Sequence, residues 1–569
     1  MAMGMASSPE QPGAAHDAWR TAVAALLGFG LLIAYVGFHR TRLLPNESFG
    51  VPGAFRADAA IAVLHACAGL LFINMAAWGL ATPLRRLFPA EDGPLIVPIR
   101  LGLGLLLVAH GVLLLAAFHL LVPAAMAALL AVPSAFCLIA AWPGRLRAEG
   151  SRRSWPLSAV LWPCGLLVVA SLPQAFVPVY GWDALTYHLA VPERYLFHNE
   201  IYMSRFSVFG AFPLAVEMLY TIALALHGPA LAKLIHLELG VLVLWAAVAI
   251  GSSRSWRGGR LAAALLLADP LFLWETTVAY NDLALALYAL LATQALVDFR
   301  GRRDAASLVR CGLFAGGCVA TRYPGALVPL CLATVLAFDA RRRGARATLR
   351  AIAVIFGLTL LVASPWLARN AVLTGNPVAP LFQGLVQPGA EYFDPVAIEQ
   401  QIAFSRSIGM GRGLGSLLLL PWNVTMRSVA GLYGGSFGFR VGPLYPIALV
   451  AVLLVPAARR SAFARLAMPV TGALALSWWA TTQEARYLLP ALALLAVAGG
   501  EAVDELASRA PRVGHALLAV VALGLALAQW PAWHDSVRTV RRVLGADPRD
   551  GPPEHANAVG DALRSTMRA

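Results

Sequence analysis

FPLAVEMLYTIALALH, residues 212–227, decides how this chain is threaded. It is apolar enough to look like a membrane span, but it opens on Pro213, carries Glu217 and falls short of the ~20 residues a helix needs to cross the hydrocarbon core. If it crossed, Arg254, Arg257 and Arg260 would fall on the opposite face from the other arginine clusters, and Asp183 and Asp282 would face opposite compartments. Laid along the external surface as an interfacial helix, with Glu217 on its polar side, it removes both conflicts. Asp183, Asp282, the long loop over 369–441 and the turn around Arg486 then share one non-cytoplasmic face.

Outward from this segment the chain is membrane. Of its 569 residues 59% are hydrophobic and 13% charged, and mean hydropathy is +0.69. Apolar runs long enough to span as helix recur, which predicts an all-α, polytopic integral membrane protein. Spans are expected over 21–38, 59–80, 95–121, 122–142, 155–177, 231–250, 261–274, 281–297, 305–320, 323–338, 352–367, 443–455, 466–480, 487–503 and 515–530. They divide into four N-terminal spans (1–150), a central module (151–505) with external loops at 178–230 and 369–441, and a last span with a short polar external tail (506–569). Short cytoplasmic loops concentrate arginine, and Arg85/Arg86, Arg145/Arg147/Arg152/Arg153, Arg254/Arg257/Arg260, Arg300/Arg302/Arg303, Arg341/Arg342/Arg343 and Arg459/Arg460 share one side under this threading. Arg40, Arg42 and Arg56, and Arg538, Arg541 and Arg542 in the tail, fall on the other.

The net charge of +14 is therefore topology and not a nucleic-acid footprint, since the arginines form short clusters between apolar runs and no basic stripe. Lys233 is the only lysine, and the bias to Arg, Ala, Gly and Leu is that of a GC-rich bacterial genome. The cysteines lie in or beside apolar runs without ligand spacing, and the N-terminus does not read as a cleaved signal.

Three groups of residues can carry chemistry. In GWDALTYHLAVPERY (181–195) a helix would put Tyr187 one turn after Asp183, with His188, Glu193 and Arg194 following. This is either an amphipathic surface helix anchored by its aromatics or a general base placed where a lipid-borne and a water-soluble substrate meet. Asp282, in Tyr280-Asn281-Asp282, opens a span, where it either caps the helix or contacts substrate. Arg322, Arg369 and Arg486 stand at external span ends, with Arg205, Arg406, Arg412, Arg427 and Arg440 in external loops. Guanidinium groups bind phosphate bidentately, so convergence of two or three would make a lipid-phosphate pocket, whereas each alone would snorkel to a headgroup. The loop over 369–441, rich in glycine at 409–415 and 431–438, reads as a lid, with Leu381, Phe382, Tyr392 and Phe393 docking it on the membrane core.

In order along the chain, WDALTYHLAVPERY, FPLAVEML, AYNDLALAL, TRYPGALVP, PWLARNAVLTGNPVAPLF and ARYLLPAL resemble the bacterial GT-C glycosyltransferases, the group of the protein O-mannosyltransferases and lipid A aminoarabinose transferases. The resemblance runs from about residue 155 to 501. It implies a GT-C transmembrane bundle in the bacterial inner membrane with its active site on the periplasmic face. Asp183 is then the catalytic carboxylate and Asp282 a second acidic residue. Substrate contacts are expected from Tyr187, His188, Glu193, Arg205, Arg322, Tyr323, Arg369, Asn370, Asn376, Arg486 and Tyr487. The implied donor is a polyprenyl-phosphate-linked sugar and the acceptor a glycan, lipid or protein. No cofactor is required, and a divalent metal is possible but not indicated. A polymerase or ligase using a lipid pyrophosphate donor and a lipid-linked sugar transporter are the alternatives; no internal repeat supports the latter.

Overall fold

The computed structural model describes residues 57–543 apart from 89, 142–157, 180, 254, 387–391, 429–436, 456–460 and 510. The expected span over 21–38, Arg254, the arginines of 145–153 and 459–460, and the tail beyond 543 lie outside the described residues. The rest is an all-helical bundle. In chain order its helices are α1 (Ala57–Ala81), α2 (Ile96–Ala117), α3 (Pro123–Ala141), α4 (Ser158–Ala175), α5 (Ala190–His198), α6 (Ala215–Leu226), α7 (Pro229–Gly251), α8 (Trp256–Leu267) and α9 (Pro270–Glu275). They continue with α10 (Asp282–Arg302), α11 (Ala305–Thr321), α12 (Leu327–Phe338), α13 (Ala345–Thr374), α14 (Pro395–Ser407), α15 (Leu444–Leu454), α16 (Ala462–Ala480), α17 (Leu489–Arg509) and α18 (Pro511–Val543). Among the described residues 8 helices are long and apolar enough to cross a membrane, formed by α1, α2, α4, α7, α10, α13, α17 and α18. The protein is a multi-pass membrane protein.

The core gathers around α7, α10 and α17, whose apolar residues face other helices almost all round. α10 packs on α7, α11 and α17, and α17 packs on α8, α15 and α16. Small residues permit a close crossing here, since a Cβ on Gly500 of α17 would stand 2.6 Å from the Gly258 carbonyl oxygen of α8. The N-terminal helices join the same body. Tyr288 of α10 donates to the Gly102 carbonyl of α2 at 3.2 Å, and α2 also lies against α6.

Direction along these helices places the site. α10 starts at Asp282 and ends in Arg300 and Arg302, and its 21 residues span about 30 Å. α11 returns to Arg322. The turn at Arg486 feeds α17, which ends at Arg509. Arg300 meets Asp339 at 2.7 Å, so two of the arginine clusters predicted to share a side do come together.

Three sequence expectations are corrected. Residues 212–227 do not lie on a surface with Glu217 outward. α6 is buried from Ala215 to Ala223 with Glu217 fully enclosed, because α2, α5 and α7 cover it. Its 12 residues reach only about 18 Å, too short to cross. The run over 261–274 is not one helix: Pro270 disfavours helix at the residue before it, and Asp269 accepts from the Leu271 N–H at 3.2 Å to start α9. The long loop begins later than 369, since nothing in RNAVLT stops α13 until Gly375 closes it with φ 74°. Beyond it the described chain forms α14 and shorter turns. Tyr392 and Phe393 pack with Met203, Val208, Ala211 and Ala379, while Leu381 and Phe382 stay exposed.

Candidate active site

The segment after α4 begins as a helical turn at Trp182 and Asp183 and widens into a single π turn over Ala184–His188 before α5. Such insertions occur often at functional sites. The widened turn still brings the Tyr187 hydroxyl back to Asp183 Oδ2, 3.2 Å away, and the Asp183 N–H donates to the Tyr280 hydroxyl at 3.3 Å. Asp183 is thus held by its own turn and by the loop that precedes α10.

Asp282 occupies the first position of α10, where its charge faces free N–H groups, but its side chain caps nothing. Its carboxylate instead receives two guanidinium groups, Arg322 Nη1 at 2.6 Å on Oδ1 and Arg486 Nη1 at 3.2 Å on Oδ2. Arg486 also donates through Nη2 to Asp183 Oδ2 and, at 3.1 Å, to the Tyr487 hydroxyl. One arginine therefore bridges the two carboxylates singled out from the sequence. Tyr487 lies under Arg322 at 3.9 Å, and Tyr280 and Tyr487 each face Arg486 at 4.7 Å. Asp282 is 1% exposed, Arg486 5%, Arg322 11% and Asp183 16%, so the cluster opens outward at Asp183 and Arg322. Arg322 engages Asp282 through Nη1 alone among the described residues, leaving guanidinium N–H groups for a ligand.

The other expected contacts divide. Arg369 lies within α13 and is engaged on every nitrogen, with Nε and Nη2 on Asn370 Oδ1, Nη2 on the Phe212 carbonyl at 2.8 Å and Nη1 on Tyr195. Asn370 and Tyr323 donate to the carbonyls of Ala211 and Ala379, and Asn376 donates to the Leu381 carbonyl, tying these turns beside the end of α13. Arg205 donates to the Tyr392 carbonyl at 3.0 Å, and Glu193 is exposed on α5. Of the three arginines expected to converge, Arg322 and Arg486 meet on one carboxylate and Arg369 serves this separate network.

His188 turns inward, stacked between Tyr187 and Tyr280. Its Nδ1 lies 2.6 Å from Glu217 Oε1, which also accepts from Asn281 Nδ2 at 3.0 Å. All three residues are buried. Burial pushes the Glu217 carboxyl up to about 8, against the hydrogen bond from Asn281. Burial, with Arg486 and Arg322 nearby, also holds His188 well below the usual imidazole range. Both shifts favour the uncharged forms, and the imidazole tautomer decides which partner donates in the short contact between them. It links the residue after Tyr187 to the residue before Asp282. Sequence reading missed Glu217 and Tyr280; their only signals were an acid inside an apolar run and an aromatic before Asn-Asp. Burial also keeps Tyr187 a phenol, reinforced by Asp183, and raises Glu484 to about 6 against Arg486.

Among the described residues no three His, Cys, Asp or Glu side chains converge as a metal site. Both aspartates face guanidinium groups.

No protein-family model matches the chain, and no curated protein matches it. Among solved structures it is similar to ArnT from Cupriavidus metallidurans bound to undecaprenyl phosphate, at 17% identity and TM-score 0.46, covering 72% of each chain. The apo state of that protein gives 18% identity and TM-score 0.45, over 63% of this chain and 62% of that one. Archaeal oligosaccharyltransferase AglB from Archaeoglobus fulgidus, in complex with an inhibitory peptide and a dolichol-phosphate, gives 14% identity and TM-score 0.44. The match covers 73% of this chain and 59% of AglB.

Proposed function

We propose that the protein is a GT-C-type membrane glycosyltransferase that moves a sugar from a polyprenyl-phosphate donor to an acceptor on its external face, with inversion. The observation that carries this reading is the Asp183–Arg486–Asp282–Arg322 cluster, assembled from motifs far apart in sequence at one end of α10, α11 and α17. Two guanidinium groups, one with free N–H groups, suit the phosphate of a lipid donor. A partly exposed carboxylate beside them suits an acceptor hydroxyl.

Asp183 removes the acceptor hydroxyl proton as the oxygen attacks the anomeric carbon. The bond from that carbon to the phosphate oxygen breaks, and its electron pair leaves with polyprenyl phosphate. Arg322 and Arg486 neutralise the charge that grows on the leaving phosphate. Asp282 holds both arginines in register, and Tyr187 orients Asp183.

The test is to incubate the purified full chain with a panel of polyprenyl-phosphate sugars and an acceptor mixture, and to measure release of free polyprenyl phosphate. Turnover of at least one donor is expected, with Asp183→Asn lowering it by about 10² to 10⁴, the usual worth of a general base, while donor binding persists. Wild-type turnover by Asp183→Asn would exclude Asp183 as the base.

A further inference from the structure

Away from the two carboxylates, a cleft of about 550 Å³ opens between α14 and the end of α16, lined among others by Gln401, Ser405, Arg406, Arg412, Thr481 and Thr482. Its volume is that of a small-ligand site, ~300–1,000 Å³. Two arginines line it and no carboxylate does.

The walls are fixed. Arg412 Nη2 donates to the Ser405 carbonyl at 3.3 Å and to the Thr481 carbonyl, fastening the α14 side to the α16 side. Just behind, the buried Gln483 accepts from the Met410 N–H at 2.9 Å and donates to the carbonyls of Gly411 and Trp479, each at 2.8 Å. Three residues on stands Arg486, so the cleft and the reacting cluster share one short, clamped turn. Arg406 is exposed and has no hydrogen-bond or ion-pair partner among the described residues. The remaining lining sets Gln401, whose amide donates to Ser405 Oγ at 3.5 Å, and the hydroxyls of Thr481 and Thr482 beside the apolar Ile402 and Ala480, the mix of polar groups and carbon that a sugar ring presents in turn.

We infer that this cleft holds the acceptor, and that the acceptor is a saccharide carrying a carboxylate or phosphate. Arg406 takes the anionic group, with Arg412 adding its charge, while Gln401, Ser405 and the two threonines take sugar hydroxyls. The inference rests on the glycosyl-transfer reading, for which it names the acceptor class. An anionic lipid headgroup shares the charge and also carries hydroxyls, so the experiment separates the two sources.

The experiment titrates the full chain in neutral detergent with trigalacturonate and with maltotriose at low salt. Trigalacturonate is expected to bind at least about tenfold more tightly, more weakly as salt rises, and Arg406→Gln to weaken it by about tenfold, the effect of losing one hydrogen bond to a charged group. Arg406→Lys should restore part of the loss. Equal binding of the two sugars, or unchanged binding by Arg406→Gln with an unchanged thermal midpoint, overturns the inference. So does loss of trigalacturonate binding when the protein sits in phosphatidylglycerol nanodiscs but not in phosphatidylcholine ones, which assigns the cleft to lipid. Release of polyprenyl phosphate is followed in parallel on the wild type. Charge-selective binding without any donor cleavage sinks the transferase reading alone, and donor cleavage without selective binding sinks the acceptor assignment alone.

Discussion

The two ends of α17 hold the same pair of groups, arginine against carboxylate, in opposite surroundings. At the N-terminal end Arg486, 5% exposed, touches Asp183 and Asp282, themselves 16% and 1% exposed. At the C-terminal end Arg509, 41% exposed, meets Glu505 at 2.8 Å, and Arg257, 52% exposed, lies 3.8 Å from Asp504. Water screens the second group and not the first. A buried ion pair is weak evidence for stability, because desolvation offsets the attraction, yet removing one member strands a charge. The buried end is thus expensive to keep, and packing alone does not account for two arginines and two aspartates there.

The largest expected effect tests that contrast directly. Arg486→Ala leaves Asp183 and Asp282 without their shared cation, and breaking a buried pair in this way costs about 3–5 kcal/mol. Chemical or thermal unfolding of the purified chain should show that loss, with Arg486→Lys intermediate, since one ammonium cannot reproduce the forked contacts to both carboxylates. A loss under ~1 kcal/mol would mean that the site end is hydrated and that the comparison fails.

A smaller effect belongs to the pair behind the aspartates. The Glu217 carboxyl stands at about 8 against its ordinary 4.5. An acid raised in the folded state binds its proton more tightly there, so its contribution is complete below about pH 4.5 and is lost as pH climbs through about 8. The thermal midpoint should therefore fall between about pH 6.5 and 8, opposite in sense to ordinary carboxylate pairing; below 6.5 the lowered His188, protonated only in the unfolded chain, works against that fall. Glu217→Gln removes the titration and flattens that fall. It should cost little at low pH, because the amide oxygen still accepts from Asn281 and from the Nδ1–H tautomer of His188. A midpoint that declines with pH as steeply in Glu217→Gln as in wild type would place the titration elsewhere.

How much of this was written in the sequence depends on the distance over which each feature is decided. The helical bundle, the arginine sidedness seen in Arg300 against Asp339, and the naming of Asp183, Tyr187, Asp282, Arg322, Arg486 and Tyr487 came from local hydropathy, charge and the order of short motifs. The break at Asp269-Pro270 was also local, but the apolar run on either side masked it. Glu217 was beyond reach of local reading. A lone acid in an apolar segment reads as the wet side of a surface helix, and only the approach of His188, 29 residues away, and Asn281, 64 residues away, makes its burial tolerable. Arg369 failed for a similar reason: a span-end arginine looks free to bind phosphate until Asn370, Phe212 and Tyr195 are seen to occupy it.

The smallest expected effect lies at the other end of α17. Glu505 stands one turn before Arg509, the favoured order for an i,i+4 pair, and Arg509 also faces the negative end of the helix. Each contribution is modest in water: about 0.3–0.5 kcal/mol for the pair and ~0.3–1 kcal/mol for the helix end. Arg509→Ala should therefore cost no more than about 1 kcal/mol in unfolding measurements, and the difference from wild type should shrink as salt rises toward ~1 M, where the screening length is near 3 Å. Arg486→Ala should keep most of its penalty at that salt concentration, because a buried pair is screened far less. Equal salt sensitivity of the two variants would show that the ends differ in sequence only, and the case for a desolvated anion site at Arg486 would lose its physical basis.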